Sequence, residues 1–228
     1  MSDEIKDKDL NAPKSTTGDK AHAIVRSVIG ALGGQAAIEL FTALITPPIE
    51  KRRNEWMQNV GDMLKKLEEE KKVDLDELRQ NEEFIDLLMN ASQAAIRTSN
   101  QKKREALRNA IENAALNQTP DEALQQMFIR WIDELTEWHL QLLNLLHDPQ
   151  SPHEIHRQVG CALSAIVGMK CPDLKDRKSF YDQLARDLYQ RGLSDTDDMD
   201  AQMTGSRVLA SHTTDMGKQF LRFIEKPE

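Results

Sequence analysis

The sequence predicts a mostly α-helical chain, a helical bundle followed by a winged-helix-like module with a short β-ribbon. Three observations predict it. The 228 residues are rich in Leu, Ala, Glu, Lys and Gln, and only 5% are aromatic, which disfavours a large β-sandwich. Apolar residues recur at three- and four-residue steps through most of the chain. Beyond residue 133, three helical stretches, a short extended stretch and a closing helix follow in the order of a winged helix-turn-helix unit.

The elements follow in order. Residues 1–18 carry five charges in their first eight positions and then Asn-Ala-Pro and Ser-Thr-Thr-Gly, too little apolar surface for a core. They read as a disordered tail. From Ser27 to Ile49 the only formal charge is Glu39, with Gly30, Gly33 and Gly34 at the centre and Ile38, Leu40, Phe41, Leu44 and Ile45 after them. Three glycines cost a solvated helix roughly 2–3 kcal/mol relative to alanine. They suit a bend or the close approach of another backbone. The leading expectation is a buried core helix or hairpin. Self-association, through the Gly30–Gly34 G-x-x-x-G spacing, and membrane contact are the alternatives. Glu39, Gln35 and the glycines oppose a transmembrane span.

Thr46-Pro47-Pro48 predicts a fresh helix start, with a capping hydroxyl and a proline in the first turn. Ile49, Trp56, Met57, Val60, Met63, Leu64 and Leu67 then mark a long amphipathic helix. Lys51-Arg52-Arg53 follows the apolar stretch and reads as a solvated turn or as a contact for anionic lipid. Three more helices open at Asn81, Asn100 and Thr119-Pro120-Asp121, completing a bundle over residues 19–133.

Residues 134–228 form the winged-helix-like module. Thr136 caps a helix that stops at Asp148-Pro149, and Ser151-Pro152 opens another through Ile155 and Val159. Residues 176–191 make a third helix, ended by Gly192. An acidic run, a strand over Ser206–Ser211 and a final helix capped by Thr213 or Thr214 complete it.

The chemistry is sparse. Thirty basic and thirty-eight acidic residues give a net charge of −8, against a general nucleic-acid coater. Two cysteines and a charged N-terminus predict a reducing, cytoplasmic address, with contact at the inner membrane face as an addition. His153, His156, Cys161 and Cys171 are metal-ligand types, but their spacing matches no zinc finger or ribbon, so no metal is expected. No phosphate loop, nucleophile elbow, metalloprotease helix or dinucleotide fingerprint is present, so no catalysis and no cofactor are expected. A DNA-binding use of the winged helix would draw on Arg177, Lys178, Arg186, Arg191 and Arg207. Asp195, Asp197, Asp198 and Asp200 would then lie where a wing meets phosphate.

Several segments carry a family resemblance. They are Ile49-Glu50-Lys51-Arg52-Arg53, Phe84-Ile85-Asp86-Leu87-Leu88-Met89-Asn90-Ala91-Ser92, Ala106-Leu107-Arg108-Asn109-Ala110, Leu188-Tyr189-Gln190-Arg191-Gly192-Leu193 and Thr214-Asp215-Met216-Gly217-Lys218-Gln219-Phe220. Over roughly residues 35–224 the pattern resembles the Abi-alpha family of bacterial abortive-infection proteins and uncharacterised bacterial proteins near it. The resemblance implies a role in phage defence and brings no catalytic residues. The expected function is a non-enzymatic interaction or effector protein with a protein partner or self-association. Its candidate interaction residues are Gly30, Gly33, Gly34, Glu39, Lys51, Arg52 and Arg53. The alternatives are a winged-helix DNA regulator and a membrane-associated effector acting through residues 21–49.

Overall fold

The computed structural model of the chain describes residues 33–149 and 159–227. The expected tail, Gly30, His153, His156 and most of the helix expected from Ser151 lie outside them. The described residues are mostly helical, with ten α-helices and one small antiparallel ribbon among them. They are α1 (Gly33–Glu69), α2 (Leu75–Leu78), α3 (Glu82–Arg97), α4 (Gln101–Ala115), α5 (Glu122–Glu134), α6 (Glu137–His147), β1 (Val159–Cys161), α7 (Leu163–Lys170), α8 (Lys178–Gln190), β2 (Met203–Thr204), α9 (Gly205–Val208) and α10 (Asp215–Ile224). The chain divides into two compact units, residues up to Lys51 and residues 52–228. The expected boundary near residue 133 falls inside the second.

Local chemistry places the helix starts. Asn81, Asn100, Asp121 and Thr214 each accept a hydrogen bond from the backbone N–H three residues on, as capping predicts. Gly192, at φ 71°, ends α8 in the left-handed conformation that glycine adopts without strain.

Three expectations need correction. Thr46-Pro47-Pro48 starts no helix: α1 runs through both prolines. They cannot donate to the carbonyls of Ala43 and Leu44, but the ladder continues on either side. Ser206–Ser211 is not a strand. Thr204 accepts from the Arg207 N–H and so caps the short α9 instead. Val159 lies in a strand rather than a helix, and Val159 and Cys161 pair with Thr204 and Met203.

The second unit has one core. Trp56, Val60, Met63 and Leu67 line the buried side of α1 at steps of three and four. Ala91, Ala94 and Ala95 of α3 and Ala106 and Ala110 of α4 are buried where the two helices pack closely. Trp56 Nε1 donates to Ser92 Oγ at 2.9 Å, so the buried indole keeps its partner.

The closing helix α10 ties the two halves of this unit together. Phe220 and Phe223 pack against Phe128 of α5, with ring centroids 5.3 and 5.6 Å apart, and Trp131 joins them. Asn113 of α4, itself buried, donates from Nδ2 to the carbonyls of Arg222, Phe223 and Glu225, and Asn109 to that of Ile224. These carbonyls at the end of the helix lack partners within it. At the other end Gly217 sits on the backbone of Leu193, where a Cβ would lie 2.1 Å from the Leu193 oxygen.

Gly217→Ala should therefore cost about 3 kcal/mol, the upper end of overpacking penalties, because a backbone carbonyl cannot give way as a side chain can. Gly61→Ala, in open space on α1, should be neutral or slightly stabilising. Thermal unfolding of the two variants beside the wild type checks the contrast; equal melting temperatures would contradict it.

Candidate functional site

The described residues of the first unit form one helical segment, the start of α1. Ile38, Phe41 and Leu44 are 61%, 65% and 66% exposed, and Leu40 is exposed as well. The segment expected as a core helix or hairpin is exposed at these residues, and its positions 21–32 lie outside the described residues. At 100° per residue, Ile38, Phe41 and Ile45 stack on one side, with Leu40 and Leu44 beside them. Glu39, Thr46 and Glu50, at positions i, i+7 and i+11, lie on the opposite side. The segment is amphipathic, with its formal acids facing away from the apolar arc.

Of the residues singled out from the sequence, Gly33 and Gly34 open α1, and Glu39 and Lys51 are exposed on it. Arg52 and Arg53 belong to the second unit. Arg53 is exposed, while Arg52 is half-buried and donates to the Arg97 carbonyl at 3.2 Å. Nothing in the spacing of Lys51-Arg52-Arg53 announced that one of the three is tied to the bundle.

The five candidate DNA-contacting cations are all engaged with the protein. The Arg177 guanidinium lies over the Phe180 ring, 4.1 Å from its centre. Lys178 pairs with Asp182 and Asp200, and these partners hold its ammonium well above the ordinary lysine range. Arg186 donates to Gln183 at 3.1 Å, and Arg191 pairs with Glu134 at 3.3 Å. Arg207 pairs with Asp195 at 2.7 Å.

The acidic run is correspondingly not a free wing. Asp195 also meets Nδ1 of the fully buried His212 at 3.2 Å. Burial raises the Asp195 carboxyl, but Arg207 and His212 outweigh it and hold it below the usual carboxylate range. Asp200 is held low by Lys178 and by a hydrogen bond with Ser164. The backbone of the run is anchored as well, since Asp195 N–H donates to the His212 carbonyl and Ser164 N–H to that of Met199.

One buried group escaped the sequence reading. His139 stands three residues after the cap Thr136, where a capping box usually places Glu or Gln. Its Nδ1 accepts from the Thr136 N–H at 3.0 Å, which leaves the ring proton on Nε2, 3.3 Å from Asp187 Oδ2. Burial lowers its pKa most. Asp187 pulls the other way, and Arg191 and Lys103 add to the lowering. The Thr-x-x-polar spacing was visible; the burial was not. Asp187 also accepts from Gln183 Nε2, so the arrangement is a braced helix start.

The remaining candidates are plain. Cys161 is buried, and Cys171 is half-buried with its thiol pushed up by burial and by Asp173. Among the described residues no three His, Cys, Asp or Glu side chains are grouped to hold a metal ion. An open groove of about 530 Å³ between the end of α1 and the start of α3 is lined by Glu68, Lys72, Asp74 and Glu77. Among the described residues no helix is long and apolar enough to cross a membrane.

His139 sets a pH dependence. With its folded pKa depressed, the unfolded chain takes up a proton before the folded one does, so stability falls as the pH drops below about 6.5. Between pH 7 and 5 the wild type should lose stability faster than His139→Asn, whose side-chain oxygen can still accept from Thr136. Urea denaturation across that range measures the two slopes, and parallel slopes would remove His139 as the cause.

Compared with protein-family models, curated proteins and solved structures, the chain matches none of them.

Proposed function

We propose that this chain is a non-enzymatic interaction protein that engages its partner through the apolar face of residues 38–49, and that it serves bacterial phage defence. One observation carries the reading. Ile38, Leu40, Phe41 and Leu44 stand exposed together on one side of a helix, whereas the longer helices of the described residues 52–227 bury most of their apolar side chains. A contiguous apolar patch of this kind is a mark of an interaction surface. The phage-defence role rests on the resemblance to the Abi-alpha family, and the site of action on this reading is the cytoplasm or the inner face of its membrane.

Residues 134–228 are read as a winged-helix-like module used for packing and protein contact. The order α6, β1, α7, a 3₁₀ turn at Pro172–Leu174 and α8, with β1 paired to β2, supports that reading. The DNA-regulator alternative is the weaker one. Its cations are committed to Asp182, Asp195, Asp200, Glu134, Gln183 and the Phe180 ring, and each would have to give up a partner to meet a phosphate.

The Phe41→Ser, Leu44→Ser double variant tests the first reading. Both side chains are solvent-facing, so stability should change by no more than about 0.5 kcal/mol, while protection in a phage-challenge assay should be lost. Full protection by a well-expressed double variant would overturn it. For the alternative, random duplex DNA should bind at roughly 100 μM or weaker at physiological salt. Sub-micromolar binding that Arg186→Ala and Arg191→Ala abolish would reverse the ranking.

A further inference from the structure

We infer that His139 is an acid-operated latch at the joint between α5 and α6: when its ring takes a second proton, the first turn of α6 lets go of its cap while the body of the helix stays in the core. The inference is independent of the apolar face of residues 38–49.

The residue type makes this cap depend on a proton. A capping box ordinarily closes with Glu or Gln, and Gln has no acceptor that titrates. Histidine changes its charge between pH 5 and 8. Nε2 directs the ring proton at Asp187 Oδ2, 3.3 Å away, so a second proton has one place to go, Nδ1. Nδ1 is the atom that accepts from the Thr136 N–H at 3.0 Å, and the Thr136 hydroxyl lies 2.9 Å from it. The hydroxyl can turn and accept the new proton. The amide cannot, so the backbone at Thr136 has to move.

The charges around the ring set the direction. Asp187 of α8, which also accepts from Gln183 Nε2, attracts a charged ring. Arg191, beside the end of α8, and Lys103 of α4 repel one, and burial opposes it more than any of the three charges acts. On the ring's own helix, Glu137 is held by Asn100 Nδ2 at 2.7 Å. The two cations also grip the end of α5. Lys103 Nζ donates to the Asp133 carbonyl at 2.6 Å, and Arg191 pairs with Glu134 at 3.3 Å. The closed latch thus disfavours a proton that the open one accepts, and falling pH favours the open state.

The opening is local because the rest of α6 is anchored. Leu140, Leu142, Leu143, Leu145 and Leu146 are buried, whereas Thr136 is exposed, so its released amide meets water.

Amide hydrogen exchange of the full chain, normalised to the intrinsic rate at each pH, tests the latch. From pH 7 to pH 5 the protection of the Thr136, His139 and Leu140 amides should fall by about tenfold, since an ordinary histidine is mostly protonated at pH 5. Low urea should leave that exchange unchanged, because a local opening exposes little surface. His139→Gln, which restores the usual capping acceptor, should keep its protection at pH 5. Unchanged protection of the wild type at pH 5, or an equal fall in His139→Gln, overturns the latch. So does exchange at these amides that rises with urea as steeply as that of Leu107 in the core, which would be global unfolding. Nitrogen NMR of the wild-type ring needs no variant: a proton on Nδ1 at pH 7 also overturns it.

Discussion

The docking of the closing helix is the constraint on which the second unit depends. α10 reaches the core only because Gly217 has no Cβ to strike the Leu193 carbonyl. That approach brings Phe220 and Phe223 onto Phe128 and delivers the end of the helix to Asn109 and Asn113. Asn113 sits more than a hundred residues upstream of the carbonyls it satisfies. The contact therefore joins the first half of the unit to its last helix in one step, and a buried amide without those acceptors would be a liability. The same approach places His212 beside Leu146, whose carbonyl accepts the His212 N–H at 2.7 Å.

From that docking the electrostatics of the C-terminal region follow. Arg207 pairs with Asp195, which also meets His212 Nδ1 within hydrogen-bond distance, and Lys178 bridges Asp182 and Asp200, so the acidic run is held against the body by ion pairs and a hydrogen bond. Most of these pairs are exposed, so each adds little stability. Their consequence is for binding: cations already paired meet a phosphate backbone only by exchange of partners.

The exposed face of residues 38–49 is the opposite case. Its apolar side chains have no described cover, and its carboxylates are turned away from them. A solvated helix gains nothing from such segregation, because in water every face meets the same medium.

Much was legible from the residues alone. Periodicity identified most of the longer helices but not Leu75–Leu78, Leu163–Lys170 or Gly205–Val208, and Asn81, Asn100, Asp121 and Thr136 marked starts, because caps and apolar steps are local properties that act within one turn. Gly192 marked a helix end for the same reason. What required the tertiary structure was every outcome in which distant segments compete. Ser206–Ser211 has the look of a strand, but Thr204 caps a helix there, beside a run that presents Asp195 to Arg207. Thr46-Pro47-Pro48 has the look of a start, yet α1 passes through it. The apolar stretch after Gly34 reads equally well as core or as surface, because hydrophobicity says that a face wants to leave water but not what will cover it. By itself the sequence determined where most of the longer helices lie and which side of each is apolar. The tertiary structure decided which of those sides are buried and which charges are spent, because both depend on partners that the chain brings together only by folding.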